Sequence, residues 1–171
     1  DINQSDYVFK PNAQRQIRYA LGAVKGVGEA AVLAIMQARE LGGAFRDIFD
    51  FCERVGKEHL NKRTIEALIR AGAFDAIEAN RAMLLANVDL AVNHAEQQHA
   101  SANQSGLFDD ASDAIEAVQM VAMPMWDEST KLAAEKQVVG FYLSGHPFSP
   151  YQTEVRQIAP IRLNRLRPQD S

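Results

Sequence analysis

Lys25-Gly26-Val27-Gly28-Glu29-Ala30 is the stretch of this 171-residue chain whose residue types and spacing are suited to holding an anion. Two glycines separated by one residue can turn the backbone sharply, because glycine takes positive φ without a Cβ clash. Gly26 and Gly28 can both do so, which lets the backbone turn within about three residues. A helix should start directly behind them, since Val32, Ile35 and Met36 follow Glu29 at helical spacing. The first N–H groups of a helix have no intrahelical acceptor and carry the positive end of its dipole. A phosphate oxygen placed there would meet free donors, with Lys25 beside it as a mobile charge. Leu21 and Val24 form an apolar patch ahead of the glycines, so the unit reads as helix, tight hairpin, helix.

The motif alone leaves other readings open. In a plain αα-corner the glycines would serve close packing only. Gly26-Val27-Gly28-Glu29-Ala30-Ala31 also fits the loose G-x-G-x-x-A dinucleotide fingerprint, with Asp47 lying 19 residues past Gly28, where a ribose-binding acid would be wanted. That fingerprint requires a preceding strand and alternating strands and helices after it. Almost everything downstream reads as helix.

Little else in the chain has the spacing of a reactive site. His59, His94, His99 and His146 do not combine with each other or with Cys52 in metal-ligand spacing. Cys52 lies in the apolar run Ile48-Phe49-Asp50-Phe51-Cys52 and reads as a buried, inert thiol. Lys131, Glu135 and Lys136 read as a solvated helix face with i,i+4 pairing. His146, before Pro147, reads as part of a helix-ending turn.

The elements that must position the glycine corner follow from caps and periodicity. Tyr7-Val8-Phe9 and Gln16-Ile17-Arg18-Tyr19 are short runs that can pair as a small hairpin across Pro11-Asn12. The helix after the corner runs from Glu29 to about Glu40 and stops at Gly42-Gly43. Asp47 caps a helix through Ile48, Phe51, Cys52 and Val55, and Asn61 caps another over Lys62 to Arg70. Ala71-Gly72-Ala73-Phe74-Asp75 is a second glycine corner, followed after Asn80 by one long helix through Met83, Leu84, Val88 and Val92. The repeat is imperfect: Phe74 stands where a second glycine would be. The second corner therefore reads mainly as a packing partner for the first, with Lys62 and Arg63 reaching toward a phosphate backbone. Beyond Ala95 the chain turns polar and acidic and reads as linker. Asp127 caps a further helix from Glu128 through Val139 toward Tyr142, with Gly145 as its C-cap and Pro147 as its stop.

Composition fits this organisation. With 47% hydrophobic and 23% charged residues the chain can build a core. No apolar run is long enough to span a bilayer, so no membrane contact is expected. The absence of an initiator Met leads us to expect a segment of a longer protein. The net charge of −4 is unevenly spread: residues 10–81 carry 12 Lys and Arg against 9 Asp and Glu, and residues 82–136 carry 2 against 9. The part with the glycine corner is the part that can face a phosphate backbone.

The corner resembles the helix-hairpin-helix motif, which grips nucleic-acid backbone without reading sequence. A wider resemblance covers nearly the whole chain. Ile17 through Ala31, Phe45 through Val55, Asn61-Lys62-Arg63 with Ala71-Gly72-Ala73-Phe74-Asp75, and Gly140-Phe141-Tyr142-Leu143-Ser144-Gly145-His146-Pro147 are similar, in this order, to the alpha subunit of bacterial replicative DNA polymerase III, a C-family polymerase. Ala20 departs from it, standing where the family commonly has glycine. The resemblance implies a mostly α fold: a tandem helix-hairpin-helix domain with a short β-hairpin-like lead-in and a flexible linker. It divides the chain into a lead-in (1–19), a tandem domain (20–95, with units 20–55 and 61–95), an acidic linker (96–125), a returning helix and turn (126–150) and the start of a further domain (151–171).

The same resemblance implies what each part does. Duplex DNA would be held by Lys25, Gly26, Val27, Gly28, Glu29, Ala30, Lys62 and Arg63. Gln104-Ser105-Gly106-Leu107-Phe108 is similar to the family's pentapeptide for binding the sliding clamp (the beta subunit), in which a glutamine and a Leu-Phe pair enter a pocket on the clamp. Small Ser105 and Gly106 depart from the pattern, and Gly106 adds backbone entropy that binding must overcome. No catalytic residue, metal ligand or cofactor is expected in this chain. A parent DNA-directed DNA polymerase would use Mg at carboxylates elsewhere, work in the cytoplasm and join the other polymerase III holoenzyme subunits. The alternative is a helix-hairpin-helix module of a DNA repair enzyme or nuclease.

Overall fold

A computed structural model of the chain describes residues 1–104 and 119–159, and the fold is mostly helical. A two-stranded hairpin, β1 (Lys10–Pro11) and β2 (Ile17–Arg18), pairs Lys10 with Arg18 and Pro11 with Ile17. The first strand therefore lies just after Tyr7-Val8-Phe9. A single 3-10 turn over Leu21–Ala23 stands where the sequence predicts a first helix. Then come α1 (Glu29–Gly42) and α2 (Ile48–Val55), followed by α3 (Lys62–Arg70). Asp47 and Asn61 cap α2 and α3 as expected, accepting from the N–H of Asp50 and of Thr64.

The long helix expected after Asn80 is two: α4 (Arg81–Ala86) and α5 (Val88–Gln104). Asn87 breaks it. Its buried amide donates to the carbonyls of Met83 (2.8 Å) and Val121 (2.9 Å) and accepts from the Val121 N–H (2.8 Å). The Asn80 amide likewise donates to the Met123 carbonyl at 2.7 Å. Thus α5 continues nine residues into the stretch read as linker, and the chain is pinned again at Val121 and Met123. Then α6 (Glu128–Val139) begins at the Asp127 cap. It ends earlier than expected: Gly140 at φ +94°, not Gly145, is its C-cap. A short exposed helix, α7 (Gln152–Ile158), closes the described residues.

One core joins both glycine-cornered units. Phe51 is fully buried and meets Phe45 and Phe74 edge-on at 5.2 and 5.0 Å, so α2 and the second corner share an aromatic centre. Ile2 is also fully buried, and its N–H donates to the Ala73 carbonyl at 2.7 Å. The first residues are therefore part of the core that the two units share. Cys52 is buried, which pushes its thiol pKa up to about 12.

Two carboxylates are held inside this core, one of them unforeseen. Glu135, assigned from the sequence to a solvated face, is fully buried. Both of its oxygens are used: Oε1 accepts from Arg81 Nη1 and Nη2 at 3.1 Å, and Oε2 accepts from the N–H groups of Leu143 and Ser144 at 2.7 and 2.9 Å. Burial by itself would raise its pKa, but the Ser144, Leu143 and Arg81 donors outweigh that and hold it below the ordinary value. Asp50 behaves alike: burial opposes its charge, and the Arg46 N–H with the Arg54 guanidinium overcomes it. Carboxyls depressed on folding contribute stability above their unfolded pKa of about 4 and lose it as pH falls through the folded value. Melting followed by circular dichroism should accordingly show a plateau near neutrality and a falling Tm below about pH 4. A Tm unchanged down to pH 3 would contradict this assignment.

The two corners differ in what their glycines are for. Gly72 sits at φ +76°, and a Cβ there would run into the Arg81 guanidinium and the Asp75 carboxylate. Gly72→Val should therefore cost about 1–3 kcal/mol in backbone strain alone, lowering Tm by roughly 5 °C or more. Gly28 has φ −81°, open to any residue, and nothing lies within 4 Å of a built Cβ. Gly28→Val should lose less, a few degrees at most, through its poorer N-cap. Comparable losses for both variants would contradict the distinction.

Candidate nucleic-acid interface

The first corner is built from backbone outward. Val24 N–H donates to the Leu21 carbonyl, and Val27 N–H donates to the Val24 carbonyl, each at 3.1 Å, so the chain turns tightly before α1. Gly26 takes φ +87°, the one positive φ of the corner, whereas Gly28 is the extended N-cap of α1. Gly26 is required by its φ, not by lack of space: Thr64 Oγ1 donates to its carbonyl at 3.3 Å, and the methyl of Ala67 stands 4.0 Å from where a Cβ would be, an ordinary contact. Both partners lie on α3, so the second unit braces the first.

Gly28 has a different character. A Ser, Asp or Asn at this cap would place an oxygen on the first-turn N–H groups. Gly28 makes no side-chain cap, and the space above it is open. The N–H groups of Glu29 and Ala30 are thus left for an outside acceptor. Glu29 also puts a carboxylate in this first turn, a local negative charge that repels an incoming anion and that a nearby cation must offset. Val27 points the other way: it is buried and anchors the corner to the core.

Lys25 and Gly26 form one side of a cleft of about 660 Å³. Arg63, Glu66 and Arg70 of α3 form another side, and Gln137 and Val138 of α6 a third. Lys25 and Arg63 are exposed and Arg70 is half-buried. Among the described residues none of these three cationic heads is in an ion pair, so they outnumber the single carboxylate of Glu66. Such a surface fits a polyanion.

Not every residue named from the sequence is brought here. Lys62 is drawn to α5 instead, its Nζ 2.7 Å from Asp89, whose hydrogen bond raises the lysine pKa. Arg70 and Gln137 were missed. Arg70 is seven residues after Arg63 on one helix face, a spacing that could have revealed it. Gln137 is 74 residues from Arg63 and left no comparable signal. Gln104 closes α5, while Ser105, Gly106, Leu107 and Phe108 lie outside the described residues. Among the described residues no group of three His, Cys, Asp or Glu could hold a metal ion, and no helix is long and apolar enough to cross a membrane. His146 serves its turn, accepting the Phe148 N–H on Nδ1 at 3.1 Å.

The helix-hairpin-helix motif family matches residues 1–84, which contain both glycine corners. Together with the two braced corners, this puts that part of the chain in the helix-hairpin-helix class. The chain is also similar over its whole length to DNA polymerase III subunit alpha of Neisseria meningitidis serogroup A, with 67% identity over 171 residues. Over 98% of its length it is 41% identical to the protein of that name in Vibrio cholerae and 38% identical to that in Escherichia coli K12. It belongs to the DNA polymerase III alpha-subunit family, as the counterpart of one part of that subunit. The chain spans about 15% of the length of these curated relatives. None of these three relatives is named as a repair enzyme or nuclease.

Proposed function

We propose that this chain is the part of a replicative DNA polymerase alpha subunit that holds duplex DNA by its backbone and ties the polymerase to the sliding clamp. The observation that carries the first half is Gly28. Neither its φ nor its packing requires glycine, and its lack of a side chain leaves the start of α1 open. A phosphate oxygen can approach there and accept from the N–H groups of Glu29 and Ala30, while Lys25 supplies a balancing charge. Arg63 and Arg70 then meet further phosphates across the cleft. Contacts of this kind position a duplex without reading its bases.

Gly28→Val tests the assignment. With the fold intact, duplex affinity measured by fluorescence anisotropy should fall at least tenfold, because two methyl groups would stand where the phosphate approaches. Unchanged affinity would sink the corner as a contact.

For the second half, Gln104-Ser105-Gly106-Leu107-Phe108 begins at the far end of α5, about 25 Å along that helix from Val88. A glutamine followed by a Leu-Phe pair suits an extended peptide entering a pocket on a separate protein. In this reading the parent chain performs DNA-directed nucleotidyl transfer in the cytoplasm, with Mg held by carboxylates outside this part. The other holoenzyme subunits join through that parent chain.

A further inference from the structure

The returning helix α6 forms the third wall of the cleft and is fastened at two points. Glu135 ties it to Arg81 at the start of α4, through Oε1 at 3.1 Å from both Nη1 and Nη2. Arg81 is itself fixed by Asp75, Nε to Oδ1 at 2.8 Å and Nη2 to Oδ2 at 2.7 Å, and donates from Nη1 to the Arg70 carbonyl at 3.1 Å. One turn further along α6, the Val138 carbonyl accepts the Lys25 N–H at 2.8 Å. Glu135 and Val138 are three residues apart and so share a face of the helix. The backbone that presents Lys25 is thus held by α6, and α6 is held by the Arg81–Glu135 pair. Between these two fastenings Gln137 turns its exposed side chain toward the cleft, beside Lys25, Arg63 and Arg70.

We infer that α6 is a working wall of the duplex-binding cleft: Gln137 donates its amide N–H to the sugar-phosphate backbone, and Glu135 positions Lys25 through Val138. This rests on the reading that the cleft takes duplex DNA, and it adds to the interface a segment outside the two glycine-cornered units. A neutral amide and a cation leave different marks on binding. Removing a lysine or arginine contact lowers the slope of log K against log salt by about one, because one fewer counterion is released. Removing an amide contact weakens binding at every salt concentration and leaves the slope alone.

The test is duplex binding by fluorescence anisotropy across a salt series, with the 171-residue chain and variants Gln137→Ala, Glu135→Gln, Lys25→Ala, Arg63→Ala and the double variant Lys25→Ala/Glu135→Gln. Gln137 is exposed, so its truncation leaves the fold alone; affinity should fall about three- to tenfold with an unchanged slope. Glu135→Gln keeps an oxygen for the Leu143 and Ser144 N–H groups and leaves Arg81 paired with Asp75. Measured well below its own Tm, it should bind several-fold more weakly with a reduced slope, and its loss should not add to that of Lys25→Ala. A merely structural glutamate would leave the slope unchanged and the two losses additive. Wild-type binding by Gln137→Ala overturns the amide contact, and additive losses overturn the positioning role. If Arg63→Ala and Lys25→Ala also bind like the parent, the cleft itself is not the DNA site and the inference falls with it.

Discussion

Replacing Glu135 with alanine is expected to lower the melting temperature by roughly 10 °C, corresponding to about 3 kcal/mol. Three losses act together. Arg81, 4% exposed, loses one of its two carboxylate partners. The N–H groups of Leu143 and Ser144 lose their acceptor. A cavity opens where a fully buried side chain stood. Asp75 still neutralises Arg81, which keeps the effect at the lower end of what breaking a buried pair costs. Thermal unfolding should also show Glu135→Gln losing less than Glu135→Ala, since the amide oxygen can still accept. If Glu135→Ala melts like the parent, α6 is not fastened through this residue.

Truncating Leu107 and Phe108 together to alanine should abolish clamp binding over the range in which the parent saturates. Burying each of these side chains in a preformed pocket is worth about 1.5–3 kcal/mol. Even the lower figure for both gives a loss of about two orders of magnitude. Gln104→Ala should cost less, as expected for one hydrogen bond at a pocket rim. Because the pentapeptide begins only at the last residue of α5, the double variant should keep its helicity, its Tm and its affinity for duplex DNA. Surface plasmon resonance on immobilised clamp checks the first outcome. A variant that unfolds would show Leu107 and Phe108 to be core residues, and one that binds clamp normally would place the tether elsewhere.

What the sequence revealed was set by interactions close together along the chain. Asp47, Asn61, Asn80 and Asp127 each accept from an N–H three residues on, so the helix starts could be read locally. The features that escaped depend on distant partners. Asn87 breaks a helix because Val121, 34 residues away, uses its amide. Glu135 sits among lysines in sequence and is buried only because Arg81 meets it from 54 residues away. In the candidate site, Lys25, Gly26, Gly28 and Arg63 were legible from type and spacing. Lys62 pairs with Asp89 on another helix and does not line the cleft. Gln137 could not be found from spacing, since it enters the cleft only through the packing of α6. Two glycines that could each turn the chain do not reveal which one does; one positive φ, at Gly26, suffices for the turn.

Whether the cleft holds DNA is decided by a duplex titration by fluorescence anisotropy over a salt series, comparing the parent with the triple variant Lys25→Ala, Arg63→Ala, Arg70→Ala. If the cleft and corner hold the sugar-phosphate backbone, the parent binds unrelated duplexes alike, and log K falls linearly with log salt. The triple variant then shows a slope smaller by roughly three. A triple variant with the parent's affinity and slope would show that the cleft is not the DNA site, and a parent that prefers one duplex sequence strongly would show that it does not bind by backbone contacts alone.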